Sequence, residues 1–313
     1  MDILKQISNI GIVPVIAIDD ASKAVPLAKA LAAGGLPAAE VTFRTAAAED
    51  AIRAIVQEVP EMLVGAGTVI TTEQADRAMA AGATFIVAPG YDPKVTQHVL
   101  DKGGIMMPGT ASAGEMQQAM NQGCQVIKYF PAEANGGVAM LKNIGAALKG
   151  AKWMCTGGVS AKNVNDYLGY SQIVAVGGTW MCKKELIEGE KWDEITAMCK
   201  EAVKTMLGFS LAHVGLNCEN EAEAGQSAKT LCALFGFEYK PGNSSIFAGS
   251  AVECMKSPYL GKNGHIAIAT NSLDRAVYHL GRQGVAFDES TRKPKAIYLK
   301  QEVGGFAIHL VQR

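Results

Sequence analysis

"IVPVIAIDDASKAVPLAKALAAGGLPAAEVTF", Ile12 to Phe43, decides the fold. Its first seven residues are dominated by Ile and Val and read as a strand. After the polar Asp19-Asp20 break, "ASKAVPLAKALAAG" reads as a helix that stops at glycine, as a helix C-cap does. "AAEVTF" then reads as a second strand. Strand, helix, strand in this order predicts two parallel strands joined by a helical crossover.

The pattern continues to about residue 180. Its further strand runs are "LVGAGTV", "FIVAPG", "IMMPGT", "QVIKYFPA", "KWMCTGG" and "IVAVGGT", separated by helical stretches such as "TTEQADRAMAAG". That makes eight strands, the number of a closed (β/α)8 TIM barrel, and about 200 residues is the compact end for that fold. A doubly wound open sheet is the competitor; the even spacing and the count favour the barrel. "MDILKQIS" is expected to be an extra helix at the N-terminal end.

After Leu207 the order changes. "FSLAHVGLNC" reads as a strand, "ENEAEAGQSAKTLCALFG" as a helix, and "FEYKPG", "SSIFAG" and "AVECMK" as short strands. "GHIAIAT", "SLDRAVYHLGRQG", "VAFDES", "KAIYLKQ" and "FAIHLVQR" repeat that order. The expected architecture is therefore an α/β barrel over residues 1–207, followed by an α+β domain of two βαβββ repeats over 208–313. The helix "WDEITAMCKEAVKTML" runs almost directly from one into the other, with no Gly/Ser- or Pro-rich linker.

Composition narrows the function classes. The 313 residues are 49% apolar and 19% charged, an ordinary globular balance, and the length suggests two domains. A net charge of -1 gives no basic field for nucleic acid or an anionic membrane surface. Seven cysteines without CxxC pairing read as reduced thiols. The first twenty residues lack a signal-peptide pattern and no apolar run is long enough to cross a bilayer, so the expected setting is the cytoplasm.

Strand parity then singles out charged residues. In "VIKYFPA", Val126, Lys128 and Phe130 share one face, while Ile127 and Tyr129 share the other and suit the helix layer. Lys128 is thus expected to point inward near the strand's exit. There it is either a desolvated, neutral amine able to act as a Schiff-base nucleophile or a stem that snorkels to solvent at the barrel mouth. In "AEVTFRT", Glu40, Thr42 and Arg44 share the face opposite Val41 and Phe43, which places an acid and a guanidinium inward as well. Barrel interiors are normally filled by branched apolar side chains, so such a convergence points to chemistry; a buried ion-pair network is the structural alternative.

Two glycine turns follow the seventh and eighth strands, "TGGVS" and "GGTW". Barrels commonly bind phosphate with those two loops and an adjoining helix N-terminus. Gly157, Gly158, Gly177 and Gly178 would let backbone N–H groups approach an anion, and Thr179 would add a hydroxyl.

"EVTFRT", "GAGTV", "APG", "IKYFPAEANGG", "TGGVS" and "VGGTW", in that order and spacing, resemble the bifunctional 4-hydroxy-2-oxoglutarate (KHG) and 2-keto-3-deoxy-6-phosphogluconate (KDPG) aldolases over about residues 5 to 205. The resemblance implies a carbon–carbon lyase with Lys128 as the Schiff-base lysine and Glu40 as the general acid/base, acting largely through water. It implies Arg44 and Thr68 as holders of the pyruvyl carboxylate and Pro89 and Phe130 as pocket walls. Gly157, Gly158 and Thr179 would form the phosphate or distal-anion subsite. The implied substrate is a small 2-keto acid, the implied assembly is a homotrimer, and no metal or cofactor is called for, since an iminium takes up the electron pair. Two positions depart from the usual pattern: Cys155 where proline often precedes "TGGV", and Thr179 where serine is frequent. The runner-up is a catalytically silent phosphosugar-binding barrel in which Lys128 pairs with Glu40.

The doubled βαβββ unit resembles the vicinal oxygen chelate superfamily, which includes glyoxalase I. The resemblance aligns that superfamily's metal-ligand positions with His213, Glu253, His265 and His309, the last commonly Glu. Three imidazoles and a carboxylate suit a divalent metal; the alternative is partly buried structural histidines. The domain is expected to be either a second, metal-dependent enzyme or a binding or assembly module.

Overall fold

The structure, a computed structural model, describes residues 2–313. The chain divides into two units, one ending at Met206 and the other spanning Leu207–Arg313.

The first unit opens with a helix, Ile3–Ile10, capped by the Asp2 carboxylate accepting from the Leu4 amide; Met1, in the expected extra helix, lies outside the described residues. Its parallel strands are Ile12–Ile16, Ala38–Thr42, Leu63–Gly67, Phe85–Val87, a fifth in two pieces (Met106–Met107 and Gly109–Thr110), Ile127–Tyr129, Trp153–Thr156 and Ile173–Gly178. The first strand pairs with the second and with the eighth. Both ends of the resulting sheet are the fifth strand: Met106–Met107 pairs with the fourth strand, and Gly109–Thr110 with the sixth. The sheet therefore closes on itself, apart from a break at Pro108. Proline has no N–H to give to a ladder, which is why the strand is interrupted there. Its carbonyl still accepts from the Lys128 amide at 2.9 Å.

The barrel's strands are buried almost throughout, as a sheet covered on both faces requires. Ile127, Tyr129 and Trp153 are sealed against the helix layer. Glycines in the third strand are sized to their neighbours: a Cβ at Gly65 would collide with the Phe85 ring. The helices that follow the seventh and eighth strands are short, Val164–Leu168 and Lys184–Glu188. The expected helix N-terminus for an anion is thus a single turn, and only the glycine loops themselves stand there.

The second unit is one eight-stranded sheet with two helices, Glu221–Phe235 and Leu273–Arg282. In chain order a strand, a helix and three strands are followed by the same again. Its central strands, side by side, are Val252–Met255, Ser210–Asn217, Gly264–Thr270 and Phe306–Gln312. The two opening strands pair antiparallel, with Gly215 opposite His265, and each runs parallel to the last strand of its own set. Cys218, Ala224, Ala228, Ile246 and Cys254 form a core beneath the first helix. Among the described residues no helix is long and apolar enough to cross a membrane.

Candidate functional site

In the barrel, Lys128 and Glu40 meet. The Lys128 ammonium nitrogen lies 3.1 Å from Glu40 Oε1, with the residues 5% and 0% exposed. Both strands aim these side chains inward, so the snorkelling alternative for Lys128 is excluded. Glu40 fits because the third strand carries Gly67 beside it: a Cβ there would collide with the Glu40 carboxylate. The second carboxylate oxygen, Oε2, is buried with no hydrogen bond to the described residues, leaving it available to a reacting group. Lys128 Nζ also stands 5.2 Å from the Phe130 ring centroid, a cation–π distance that holds the stem in place.

Arg44 does not follow from parity. The second strand ends at Thr42, and Arg44 lies in the turn beyond it, exposed at the barrel mouth. It reaches the site sideways, Nε donating to Thr68 Oγ1 at 3.3 Å. Thr68 has a φ of 57°, a left-handed conformation uncommon for a β-branched residue. Such strain is characteristic of functional turns. Pro89 follows the fourth strand, and its carbonyl lies so close to Gly109 that no side chain fits at that position.

The seventh-strand glycines form the expected turn, but Gly177 and Gly178 are the last two residues of the eighth strand, opposite Val13 and Pro14, so Thr179 is the first residue beyond that strand. Gly157 and Gly158 adopt φ values of 97° and 84°, which side chains rarely tolerate. A Cβ on Gly158 would also strike Glu133, whose carboxylate accepts a short hydrogen bond from the Tyr167 hydroxyl. Gly178 lies under the Trp180 ring, and Thr179 is exposed beside it. Thr156 went unnoticed in the sequence. It ends the seventh strand, is buried, and its hydroxyl has no partner among the described residues. The signal was present: Thr156 opens "TGGVS", and Gly177 opposite it leaves room for its hydroxyl.

The second unit holds its own cluster. Its four central strands contribute one residue each: Glu253, His213, His265 and His309. Glu253 Oε2 lies 3.2 Å from His213 Nε2 and 3.1 Å from His265 Nε2, and those two nitrogens are 3.2 Å apart. One ligand atom from each histidine falls within 4.8 Å of the others. Gly215 makes this possible, since a Cβ there would occupy the space of the His265 ring. Burial works to raise the Glu253 carboxyl, but hydrogen bonds from His213, His265 and Ser245 outweigh it and hold the group well below the usual carboxylate range. Burial, with the charges of His265 and His213, pushes His309 down to about 4. His309 is 9% exposed and neither ring nitrogen has a hydrogen-bond partner among the described residues. Its ring stacks on Tyr298 with centroids 4.6 Å apart.

This donor set fits a divalent cation. Bonds of about 2.0–2.2 Å to nitrogen and oxygen put neighbouring ligands roughly 3.0–3.5 Å apart, the range observed between Glu253, His213 and His265. The lowered Glu253 carboxyl and the lowered His309 imidazole both favour the deprotonated forms that bind a metal.

The KDPG and KHG aldolase family model matches residues 3–198. The chain is 40% identical over 202 residues to the 2-dehydro-3-deoxy-phosphogluconate aldolase of Treponema pallidum, covering 64% of this chain and 96% of the relative. It is 40% identical over 193 residues to the KHG/KDPG aldolase of Escherichia coli K12, covering 62% of this chain and 91% of that one. Among solved structures it resembles the KDPG aldolase of Legionella pneumophila, in which pyruvate was captured as a covalent carbinolamine. That likeness has a TM-score of 0.62 at 36% identity and covers 64% of this chain and 97% of the other.

Proposed function

Because the chain belongs to the KDPG and KHG aldolase family and is a class I, Schiff-base aldolase, we propose that Lys128 is its nucleophile and Glu40 its acid/base. The observation that carries this assignment is the buried Lys128–Glu40 contact at 3.1 Å. Transfer of the ammonium proton to the carboxylate leaves a neutral amine, which attacks the C2 ketone of a 2-keto acid. Glu40 gives that proton to the departing carbinolamine hydroxyl, and loss of water leaves an iminium and an ionised Glu40. Glu40, directly or through water, removes the C4 hydroxyl proton, the C3–C4 bond breaks, and its electron pair passes into the iminium as an enamine. The aldehyde leaves, Glu40 returns a proton to the enamine carbon, and water releases pyruvate.

The substrates this reading favours are KDPG, giving pyruvate and glyceraldehyde 3-phosphate, and KHG, giving pyruvate and glyoxylate. Arg44 holds the pyruvyl carboxylate together with Thr68, since a planar guanidinium can bind both oxygens. Pro89 and Phe130 line the pocket. Gly157, Gly158 and Thr179 receive the distal anion. The family resemblance supports a homotrimer in the cytoplasm and an aldolase domain over 1–207. Borohydride added with pyruvate is expected to fix one pyruvyl mass on Lys128, read by peptide mass spectrometry; an adduct on another lysine, or none, sinks the assignment.

For residues 208–313 the reading that the cluster favours is a vicinal-oxygen-chelate-like domain of two βαβββ repeats. Its divalent metal is held by His213, Glu253, His265 and His309. The unpartnered, buried nitrogens of His309 favour it over four structural side chains, which would have found hydrogen bonds. When bound, the metal supplies Lewis acidity to an oxygen ligand.

A further inference from the structure

The loop after the seventh strand is tied down carbonyl by carbonyl. The Thr156 carbonyl accepts from the Ala132 amide at 2.8 Å, and the Gly157 carbonyl from the Glu133 amide at 3.0 Å. The Gly158 carbonyl accepts from the Asn163 side-chain amide at 3.2 Å. A trans peptide is planar, so its N–H points opposite to its C=O. Anchoring these three carbonyls therefore turns the amides of Gly157, Gly158 and Val159 away from the anchoring donors. Among the described residues none of those three amides donates to a backbone carbonyl. A run of unspent amides is the arrangement that receives an anion.

Two side chains hold the anchors. Glu133 stands in the turn that leaves the Lys128 strand. Its stem lies against Gly158, where a Cβ would come within 2.5 Å of the Glu133 Cγ. Its carboxylate accepts from the hydroxyl of Tyr167, a buried residue of the short helix that follows the loop. Burial, and then the hydrogen bond to Glu133, raise that hydroxyl far above its ordinary pKa, so it stays a donor. Glu133 thus spans the loop, with its amide on Gly157 and its carboxylate on the helix beyond. Asn163 braces the other side: its side-chain oxygen accepts from the Ser160 amide at 2.8 Å while its amide holds Gly158. A carboxylate beside an anion subsite opposes binding by its charge, so what Glu133 contributes there is what it holds in place.

Resting on the reading that this loop receives the distal anion, we propose that Glu133 and Asn163 are positioning residues for the phosphorylated substrate. They fix the loop's carbonyls so that its amides meet the phosphate, and they act on the substrate only through the loop.

Steady-state cleavage of KDPG and of KHG by the full chain, with borohydride trapping of pyruvate alongside, tests this in Glu133→Ala, Glu133→Gln, Tyr167→Phe and Asn163→Ala. Glu133→Ala and Asn163→Ala are each expected to raise KM for KDPG about tenfold, as for a misaligned charge-assisted hydrogen bond. Both are expected to leave kcat, KM for KHG and the Lys128 adduct within about twofold of wild type. Glu133→Gln keeps the stem and an acceptor for Tyr167, and is expected to restore KM for KDPG to within about threefold. Tyr167→Phe keeps the buried ring but loses the donor, and is expected to resemble Glu133→Ala; it decides the same question if Glu133→Ala does not fold. Wild-type KM for KDPG in either alanine variant removes that residue from the assignment. Equal losses on KDPG and KHG make the role one of stability and overturn the proposal, as does a Glu133→Gln no better than Glu133→Ala. Gly158→Ala separates the underlying reading: without a KDPG-selective loss there, the loop does not receive the phosphate. A selective loss there with none at Glu133 or Asn163 overturns the positioning alone.

Discussion

At the scale of single residues, the barrel depends on a pair that is costly to bury and useful for that reason. Lys128 and Glu40 are out of water, and among the described residues neither makes another ion pair. The proposed mechanism passes a proton across this contact. Glu40→Gln keeps the shape and a hydrogen-bonding group but cannot accept that proton. It is expected to form the pyruvate adduct still, more slowly, and to lose turnover by about 10²–10⁴-fold, the usual worth of a general acid/base; wild-type turnover would remove Glu40 from the mechanism. In the second unit His309 gives a pH signature. Its proton affinity is pushed down from 6.5 to about 4 on folding, so the unfolded chain protonates first as pH falls. The metal-free protein is therefore expected to lose stability from about pH 6.5 down to about pH 4, by at most about 3.4 kcal/mol, with no further loss from this residue below that. Denaturant unfolding of metal-free wild type and His309→Gln checks it: the slope across that window should flatten in the variant.

At the scale of elements, parity was a sound guide inside strands and failed at their ends. Glu40 and Lys128 sit within strands, where alternation fixes direction, and both point where the sequence indicates. Arg44 is two residues past the last paired position, so its direction is set by the turn and by Thr68, which no period-two argument can reach. The eight strands were legible because each is a short run of β-branched and apolar residues ended by glycine, proline or a polar residue. The division of the fifth at Pro108 was equally visible in "IMMPGT", yet its consequence, one strand serving both ends of the closing sheet, appears only in the pairing. Gly67 and Gly215 show a subtler limit. Each is defined by the side chain it must not touch, Glu40 in one case and His265 in the other, and those neighbours are distant in sequence. The seventh-strand loop offers a test at this scale. Gly158→Ala forces a side chain into a left-handed backbone and against Glu133. If the loop receives the distal phosphate, KM for KDPG should rise about tenfold or more, as for loss of a charge-assisted hydrogen bond, while KM for KHG changes little. A parallel rise in both would place the loop's role in stability instead.

At the scale of the whole molecule, two clusters of ionisable side chains occupy two separately built units. The barrel closes using only strands before residue 179, and its proposed nucleophile, acid/base and anion loops all come from those strands and the turns after them. The second unit has its own sheet, its own core beneath its first helix, and its own cluster of donors. The family match spans residues 3–198 and ends before the second unit begins. Nothing that closes the barrel or forms the Lys128–Glu40 contact is drawn from the last third of the sequence. Residues 1–206 produced alone are therefore expected to fold and to cleave KDPG or KHG with a kcat/KM within about threefold of the full chain, a change below about 0.7 kcal/mol in transition-state free energy. Steady-state kinetics on the two proteins decides it. A loss of 100-fold or more with the truncated chain still folded would mean that the second unit supplies something the aldol site needs. The gain from carrying two units on one chain would then lie in catalysis itself.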